Sequence, residues 1–506
     1  AEGDEYFSVW FESFAAHIMQ SLGSLPTDCV STSYSTFVMY IEHKGKYYEM
    51  FSGGNWQNKT YGVSYAVSDR VLREDEWEQV ADGEQTLPIL RTIPHRVIGP
   101  GHNSVVRGLD NREWFCVYHR WSSDNQARVL AIDRLDWVGE RMFVIGATTT
   151  PQPSPNPPTI IDYFNVHHDV DLGTEWQCEG GKWVARDGQA IQEVDTGIAT
   201  ALCRYQTPYF IAELGLKLLP HLDRKGAYGF ALNNSEETVV SFKIRPANCL
   251  VEIEWLPLNA HEGERRKQEF TLPAHFNCWA FHLLSVEVNG LAVHISMDEN
   301  AIRWQAPVRL QPLSIALLTE ETAAAFAGFS LTHSWNDLFM EESALPLAYN
   351  YVTHSQDAGW TIREKSLRFA GQPSSSIITK GPLPIDYELL VNLKACAESP
   401  TQPLYGILPA LDGDGGGAVL RLLKAGENWA LQYGDAQESQ YFSLPVDFSP
   451  YDYQQFRFRK RGKFLTIHLE GQSIGEIKVP VLAERIGLEG AAGFPAVDRL
   501  AVTAIG

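Results

Sequence analysis

Gly45-Lys46-Tyr47-Tyr48-Glu49-Met50-Phe51-Ser52-Gly53-Gly54, followed by Tyr61-Gly62-Val63-Ser64-Tyr65-Ala66-Val67-Ser68-Asp69, is the stretch that decides the fold class. A glycine turn opens it, aromatic and polar residues follow each other at short range, and paired glycines separate the two runs. Short β-rich runs bounded by glycine read as strands joined by turns. The same texture continues through Ser104-Val105-Val106, Trp114-Phe115-Cys116-Val117-Tyr118-His119 and Arg128-Val129-Leu130-Ala131-Ile132-Asp133. Antiparallel packets of three or four such strands are what a propeller blade requires.

Outward from that stretch, Thr148-Thr149-Thr150-Pro151-Gln152-Pro153-Ser154-Pro155-Asn156-Pro157-Pro158-Thr159 holds five prolines in twelve residues. Proline removes backbone donors and favours extended geometry, so residues 148–159 read as a stiff spacer. Beyond it, period-2 alternation recurs in Thr238–Ile244, Ser285–Val288 and Phe456–Arg459, while Glu320–Phe326 is the best short helical candidate. This part also repeats itself. At a shift of 177 residues Trp183 falls on Trp360, Arg186 on Arg363, Lys217 on Lys394 and Tyr228-Gly229 on Tyr405-Gly406. A constant offset across separate strands indicates duplication. The expected organisation is therefore 1–147, the spacer, then two related sandwiches at 160–335 and 336–506. Each sandwich is expected to open with a Trp-bearing strand that lies next to its closing strand, as in jelly rolls. The hairpins are expected at Val288-Asn289-Gly290-Leu291, with Asn-Gly at the turn centre, and at Lys460-Arg461-Gly462-Lys463.

Composition bounds the partners. The chain has 506 residues, with 41 Lys+Arg against 62 Asp+Glu and a net charge of −21. An acidic surface repels phosphate backbones, so nucleic acid is not an expected partner. No apolar run reaches the about 18 residues of a membrane helix, so no membrane partner is expected either. The seven cysteines lack zinc-finger spacing and read as thiols, with a disulfide among Cys178, Cys203, Cys249 and Cys278 left open. No phosphate loop, dinucleotide glycine fingerprint, HExxH or G-x-S-x-G motif occurs.

Four motifs in order, "KGKYYEMFSGGNW…YGVSYAVSD" (44–69), "GPGHNSVV" (99–106), "WFCVYHRW" (114–121) and "RVLAIDRLDW" (128–137), together resemble glycoside hydrolase family 43. The resemblance covers residues 37–146 and matches the last blades of that family's five-bladed propeller. The two repeats resemble concanavalin-like jelly rolls. The implied fold is all-β: a partial, truncated five-bladed-type propeller followed by two tandem jelly-roll sandwiches. The implied activity is hydrolysis of arabinose- or xylose-containing glycans with inversion, which uses one carboxyl group as acid and another, set well apart, as base. The family's acid slot reads Tyr34-Ser35-Thr36, and its two Asp residues have no counterpart, so no catalytic residue is assigned. A non-catalytic carbohydrate-binding or interaction protein derived from such an enzyme is the alternative. An open propeller face would call for a partner surface, supplied by the sandwich pair or by self-association with another copy of the chain.

By position, the resemblance gives His102 the role of the axial histidine that helps hold a calcium ion. The other reading is a hydrogen-bonded histidine between strands. Arg128 matches an arginine that reaches the sugar, its guanidinium suiting vicinal hydroxyls, or is a strand-end cation. Trp56 and Trp121 are stacking faces for a sugar ring or blade-edge aromatics. Asn55 either hydrogen-bonds a hydroxyl or shapes the turn after Gly53-Gly54. The partner so implied is an oligo- or polysaccharide. Glu42, Glu49, Asp69 and the acidic run Glu74–Glu78 are not taken as catalytic.

Overall fold

The computed structural model describes residues 39–506 apart from 71–76, 83–84, 87–88, 221–224, 259–263, 299–300, 341–350, 354–358, 372–374, 381, 400–401, 414–415 and 435–438. The protein is all-β, and no α-helix occurs among the described residues. It divides into two compact units, one of residues 1–108 and 112–155, the other of 109–111 and 156–506.

In the first unit β1 (Met39–His43), β2 (Lys46–Gly53), β3 (Gly62–Ser68) and β4 (Glu78–Gln79) form one antiparallel meander. A small hairpin, β5 (Ala81–Asp82) with β6 (Gln85–Thr86), follows. The second meander is β7 (Gly101–Arg107), β8 (Trp114–Trp121), β9 (Arg128–Val138) and β10 (Arg141–Ile145). Alternation sends Tyr48 and Met50 of β2, Tyr65 of β3, Cys116 and Tyr118 of β8, and Leu135 and Trp137 of β9 into one shared core. Burying each large apolar side chain stabilises by about 1.5–3 kcal/mol. Directional contacts fix the sheets: the His43 ring stacks on Trp137 at 4.5 Å, the Met142 N–H donates to Tyr65 Oη at 3.2 Å, and Lys46 pairs with Glu140 at 2.9 Å.

The second unit holds two hydrophobic cores. Over the first lies a seven-stranded sheet in the order Trp176–Glu179, Ile198–Cys203, Ser314–Glu320, Ala227–Asn233, Thr238–Arg245, Leu250–Trp255, Arg266–Thr271. Over the second lies a seven-stranded sheet in the order Tyr351–Thr353, Ser375–Thr379, Arg485–Gly490, Tyr405–Leu411, Gly417–Ala425, Asn428–Gly434, Ser439–Ser443. The two orders are the same strand for strand, so the repeat read at a shift of 177 residues is a repeat of topology. Tyr228 and Tyr405 lie at matching ends of matching strands, and both are fully buried.

Each Trp-bearing strand, Trp183–Arg186 and Trp360–Arg363, pairs with its own hairpin mate. It is the mate that lies beside the closing strand, so the tryptophan strand sits one place farther out than expected. Opposite both seven-stranded sheets runs one continuous sheet. It continues from one module to the next because Ala324–Asp337 pairs with Ala496–Ala504, Ser334 opposite Thr503 and Asp337 opposite Leu500.

Two local expectations fail for physical reasons. Glu320–Phe326 is not helical: Ser314–Glu320 ends there and Ala324–Asp337 begins. The alanines favour helix, yet Ala324 and Phe326 fill the main core while Ala325 fills a second cluster on the opposite face. A strand buried on both faces outweighs that propensity. In the first hairpin Asn289 pairs with Ala292, so the turn centre is Gly290-Leu291, with Gly290 at φ 71°. Asn289 is held as a strand residue by Asn336, whose carbonyl accepts from its side-chain amide at 2.9 Å. The second hairpin has the same register, Arg461 opposite Phe464 and Gly462 at φ 54°. Cys116, Cys178, Cys203, Cys249, Cys278 and Cys396 are free thiols, and Cys29 lies outside the described residues.

Candidate functional site

The loop between β2 and β3 is tied to itself. Gly54 at φ 88° lies so close to the Thr60 carbonyl that a Cβ would stand 2.3 Å from its oxygen. Asn55 Oδ1 accepts from the Gln57 N–H at 2.9 Å, and the Asn55 N–H donates to Thr60 Oγ1 at 3.0 Å. Asn58 Oδ1 accepts from both the Thr60 N–H, at 2.9 Å, and the Thr60 hydroxyl, at 2.7 Å. Asn55 therefore shapes the turn. What the loop displays is Trp56, 38% exposed.

Three residues expected at the site come together here. Trp121 ends β8 and Arg128 opens β9, directly opposite each other. Trp56 and Trp121 stand 6.3 Å apart with planes within 15°, and the Arg128 guanidinium lies 4.8 Å over Trp121 and 5.6 Å over both Trp56 and Tyr61. Arg128 donates to the Gly99 carbonyl at 2.7 Å and the Trp56 carbonyl at 2.6 Å, and Trp121 Nε1 donates to the same Trp56 carbonyl at 3.2 Å. The guanidinium thus braces the loop and enriches the aromatic stack by cation–π attraction. Among the described residues it has no carboxylate counter-ion.

Gly99-Pro100-Gly101 exists to let rings approach. A Cβ on Gly101 would stand 2.1 Å from the Tyr61 ring, and one on Gly99 would stand 3.2 Å from Trp121. His102, at φ 54° and exposed, donates its backbone N–H to Ser52 Oγ at 2.7 Å. Its ring stacks on His119 at 5.6 Å.

His119 belongs to this cluster although sequence reasoning passed over it. It lies two residues before Trp121 on β8, on the same strand face, and 6.1 Å from Tyr61. Burial, then Arg128 and His102, pushes its imidazole down to about 4, so it is neutral near pH 7. Its Nε2 is buried and has no hydrogen-bond partner among the described residues. The signal was available in the alternation of "VYHRW".

The acids divide as follows. Glu42 and Asp69 are exposed, while Glu49 is buried on the face of β2 opposite the core. Asp133 is buried and committed, accepting from Tyr118 Oη at 2.6 Å and from the Thr148 N–H and Oγ1 at 3.0 and 2.6 Å. The slot Tyr34–Thr36 and the run Glu74–Glu76 lie outside the described residues. Calcium takes six to eight oxygen ligands. Among the described residues no group of three or more His, Cys, Asp or Glu stands together as a metal site.

No family model matches the chain. A curated relative, a β-D-galactofuranosidase of Aspergillus niger, is 28% identical over 138 residues, 26% of this chain and 38% of that protein. A thermostable family-43 glycoside hydrolase of known structure is 35% identical over 23% of this chain and 37% of its own, with a TM-score of 0.21. A family-43 protein from Bacillus licheniformis is 16% identical over 58% of this chain and 64% of its own, with a TM-score of 0.26. Over about a quarter of its length the chain resembles a family-43 glycoside hydrolase in sequence, and it spans less than half the length of the curated relative it matches.

Proposed function

We propose that the protein acts on glycans as a family-43-type glycoside hydrolase, and that its first unit grips an arabinose- or xylose-containing chain at the Trp56–Trp121–Arg128 cluster. The observation that carries this reading is the braced tryptophan pair. A partly exposed indole, held by a self-bonded loop and an arginine that has no carboxylate counter-ion among the described residues, offers a flat face to the C–H side of a sugar ring. Prepaying the ordering of the loop raises affinity. The sequence likeness to a furanoside-cleaving relative supports the same class of ligand.

Hydrolysis with inversion needs two carboxyl groups far enough apart to admit a water. Around the cluster the described titratable neighbours include His102, His119, Tyr61 and Arg120, the carboxylate Asp124 lies in the turn joining Trp121 to Arg128 and accepts from the Gln126 N–H at 3.1 Å, and Asp133 is spent on Tyr118 and Thr148. Beside the cluster the described residues thus offer one turn carboxylate where inversion uses a pair, which supports as a second reading a glycan-binding protein without turnover. One experiment separates them. Aryl α-L-arabinofuranoside, aryl β-D-xyloside and aryl β-D-galactofuranoside are incubated with the full chain, and aglycone release is followed. Release above background, abolished in Trp56→Ala, supports the hydrolase. Saturable binding of arabino- or xylo-oligosaccharides without release supports the binding protein. Neither release nor binding overturns both.

A further inference from the structure

We propose a second glycan-binding groove, on the outer sheet face of the first sandwich and independent of the tryptophan cluster. The strands His282–Asn289, Ala292–Met297 and Ile302–Pro307 are consecutive antiparallel neighbours. Alternation sends Leu284, Val286, Val288, Val293, Ile295, Met297, Ile302 and Trp304 into the core. The opposite face is polar, and its side chains fall into two cross-strand rungs. One rung is Ser285–Ser296–Arg303 and the other Glu287–His294–Gln305. These six residues, together with Ile295 and Trp304, line a cavity of about 470 Å³.

The chemistry of the rungs selects the ligand. One carboxylate and one guanidinium cancel in formal charge, so the groove holds no excess charge for an anion or a cation. The two hydroxyls, an amide and an imidazole add both donors and acceptors. Mixed donors and acceptors at strand spacing suit a neutral molecule carrying hydroxyls on alternate sides. Three strands spaced about 4.8 Å apart give each rung a reach of roughly 10 Å, the span of a disaccharide.

The duplicated module serves as an internal control. Phe210 pairs with Val288 in the first copy, and Tyr387, its match at a shift of 177, pairs with Lys460 in the second. Glu287 therefore corresponds to Arg459, and Ser285 to Arg457. In the second copy that face is filled: Arg457 is ion-paired with Glu388, and Arg459 donates to Asn156, which is 4% exposed. The same scaffold is thus closed by long basic side chains and the end of the spacer in one copy. In the other it is left open by a serine and a glutamate.

The test is calorimetric titration of the full chain carrying Trp56→Ala, which isolates the groove from the first site. The probes are xylohexaose, arabinohexaose and cellohexaose. The expected result is saturable binding of at least one of them. Glu287→Ala with Gln305→Ala weakens that binding by tenfold or more, and Glu287→Arg, which imitates the second copy, abolishes it. Because these side chains point outward, the melting temperature of each variant stays within a few degrees of the parent. If no hexasaccharide binds, or if binding survives Glu287→Arg in a folded variant, the groove is not a glycan site. Failure here leaves the tryptophan cluster untouched, since that cluster is read by its own assay.

Discussion

At the scale of single residues, Arg128 carries the organisation of the tryptophan cluster. Its two terminal nitrogens hold two carbonyls from different loops, and its face lies against three aromatic rings. Lysine has one ammonium and no planar fork, so Arg128→Lys is not conservative here. It is expected to cost about 1 kcal/mol in chemical denaturation, because the group is only partly buried. It is also expected to lower oligosaccharide affinity about tenfold by loosening Trp56. Protonation gives a second residue-scale prediction. His119 and His333 are both held down to about 4 by burial, His333 between the Tyr205 and Thr207 hydroxyls at 2.8 and 3.0 Å. A folded-state value below the ordinary 6.5 means that protonation favours the unfolded chain. Their contribution is complete above pH 6.5 and is lost as the pH falls from 6.5 through 4. Glu252, brought down to about 2 chiefly by Arg245 and Lys267 against the opposing effect of burial, loses its contribution only between pH 4.5 and 2. Melting temperatures across this range should fall in two steps, and His333→Gln should flatten the upper one.

At the scale of elements, the glycines of the turn Gly99-Pro100-Gly101 matter more than the side chains around them. The Tyr61 ring lies directly on the Gly101 backbone, so Gly101→Ala must push the ring away. Overpacking of this kind costs about 1–3 kcal/mol. The expected outcome is a lower denaturation midpoint together with weakened oligosaccharide binding, because Tyr61 also faces Arg128. An unchanged binding constant in the folded variant would separate Tyr61 from the site. Strand positions were legible in the sequence wherever alternation met a turn signal, as in Gly45–Asp69 and Trp114–His119. The reading failed at Glu320–Phe326, where both faces of a strand are buried and alternation disappears. It slipped by one residue at Asn289-Gly290, where Asn336, far along the chain in Ala324–Asp337, captures the asparagine that local preference would place in the turn.

At the scale of the whole second unit, the two sandwiches share structure across their junction. Trp335, 1% exposed, and Tyr209 come from strands of the first copy yet belong to the second hydrophobic core. The closing strands of both copies pair directly. Trp335→Ala should therefore lower the stability of both sandwiches together, by about 3–5 kcal/mol. Calorimetry should show the sandwich pair melting in one transition in the parent protein. Two separate sandwich transitions in the parent would show that the shared strand carries no coupling.

The sequence by itself determined the all-β class, the duplication and the aromatic motifs, because each is written in local periodicity, turn chemistry or a constant offset. It named Trp56, Trp121 and Arg128 singly, and the structure joined them. It missed His119, the continuous sheet and the open groove of the first sandwich. Those depend on which strand faces which across the fold. Register and burial are decided by packing between segments far apart in the chain, and that is the part only the tertiary structure supplied.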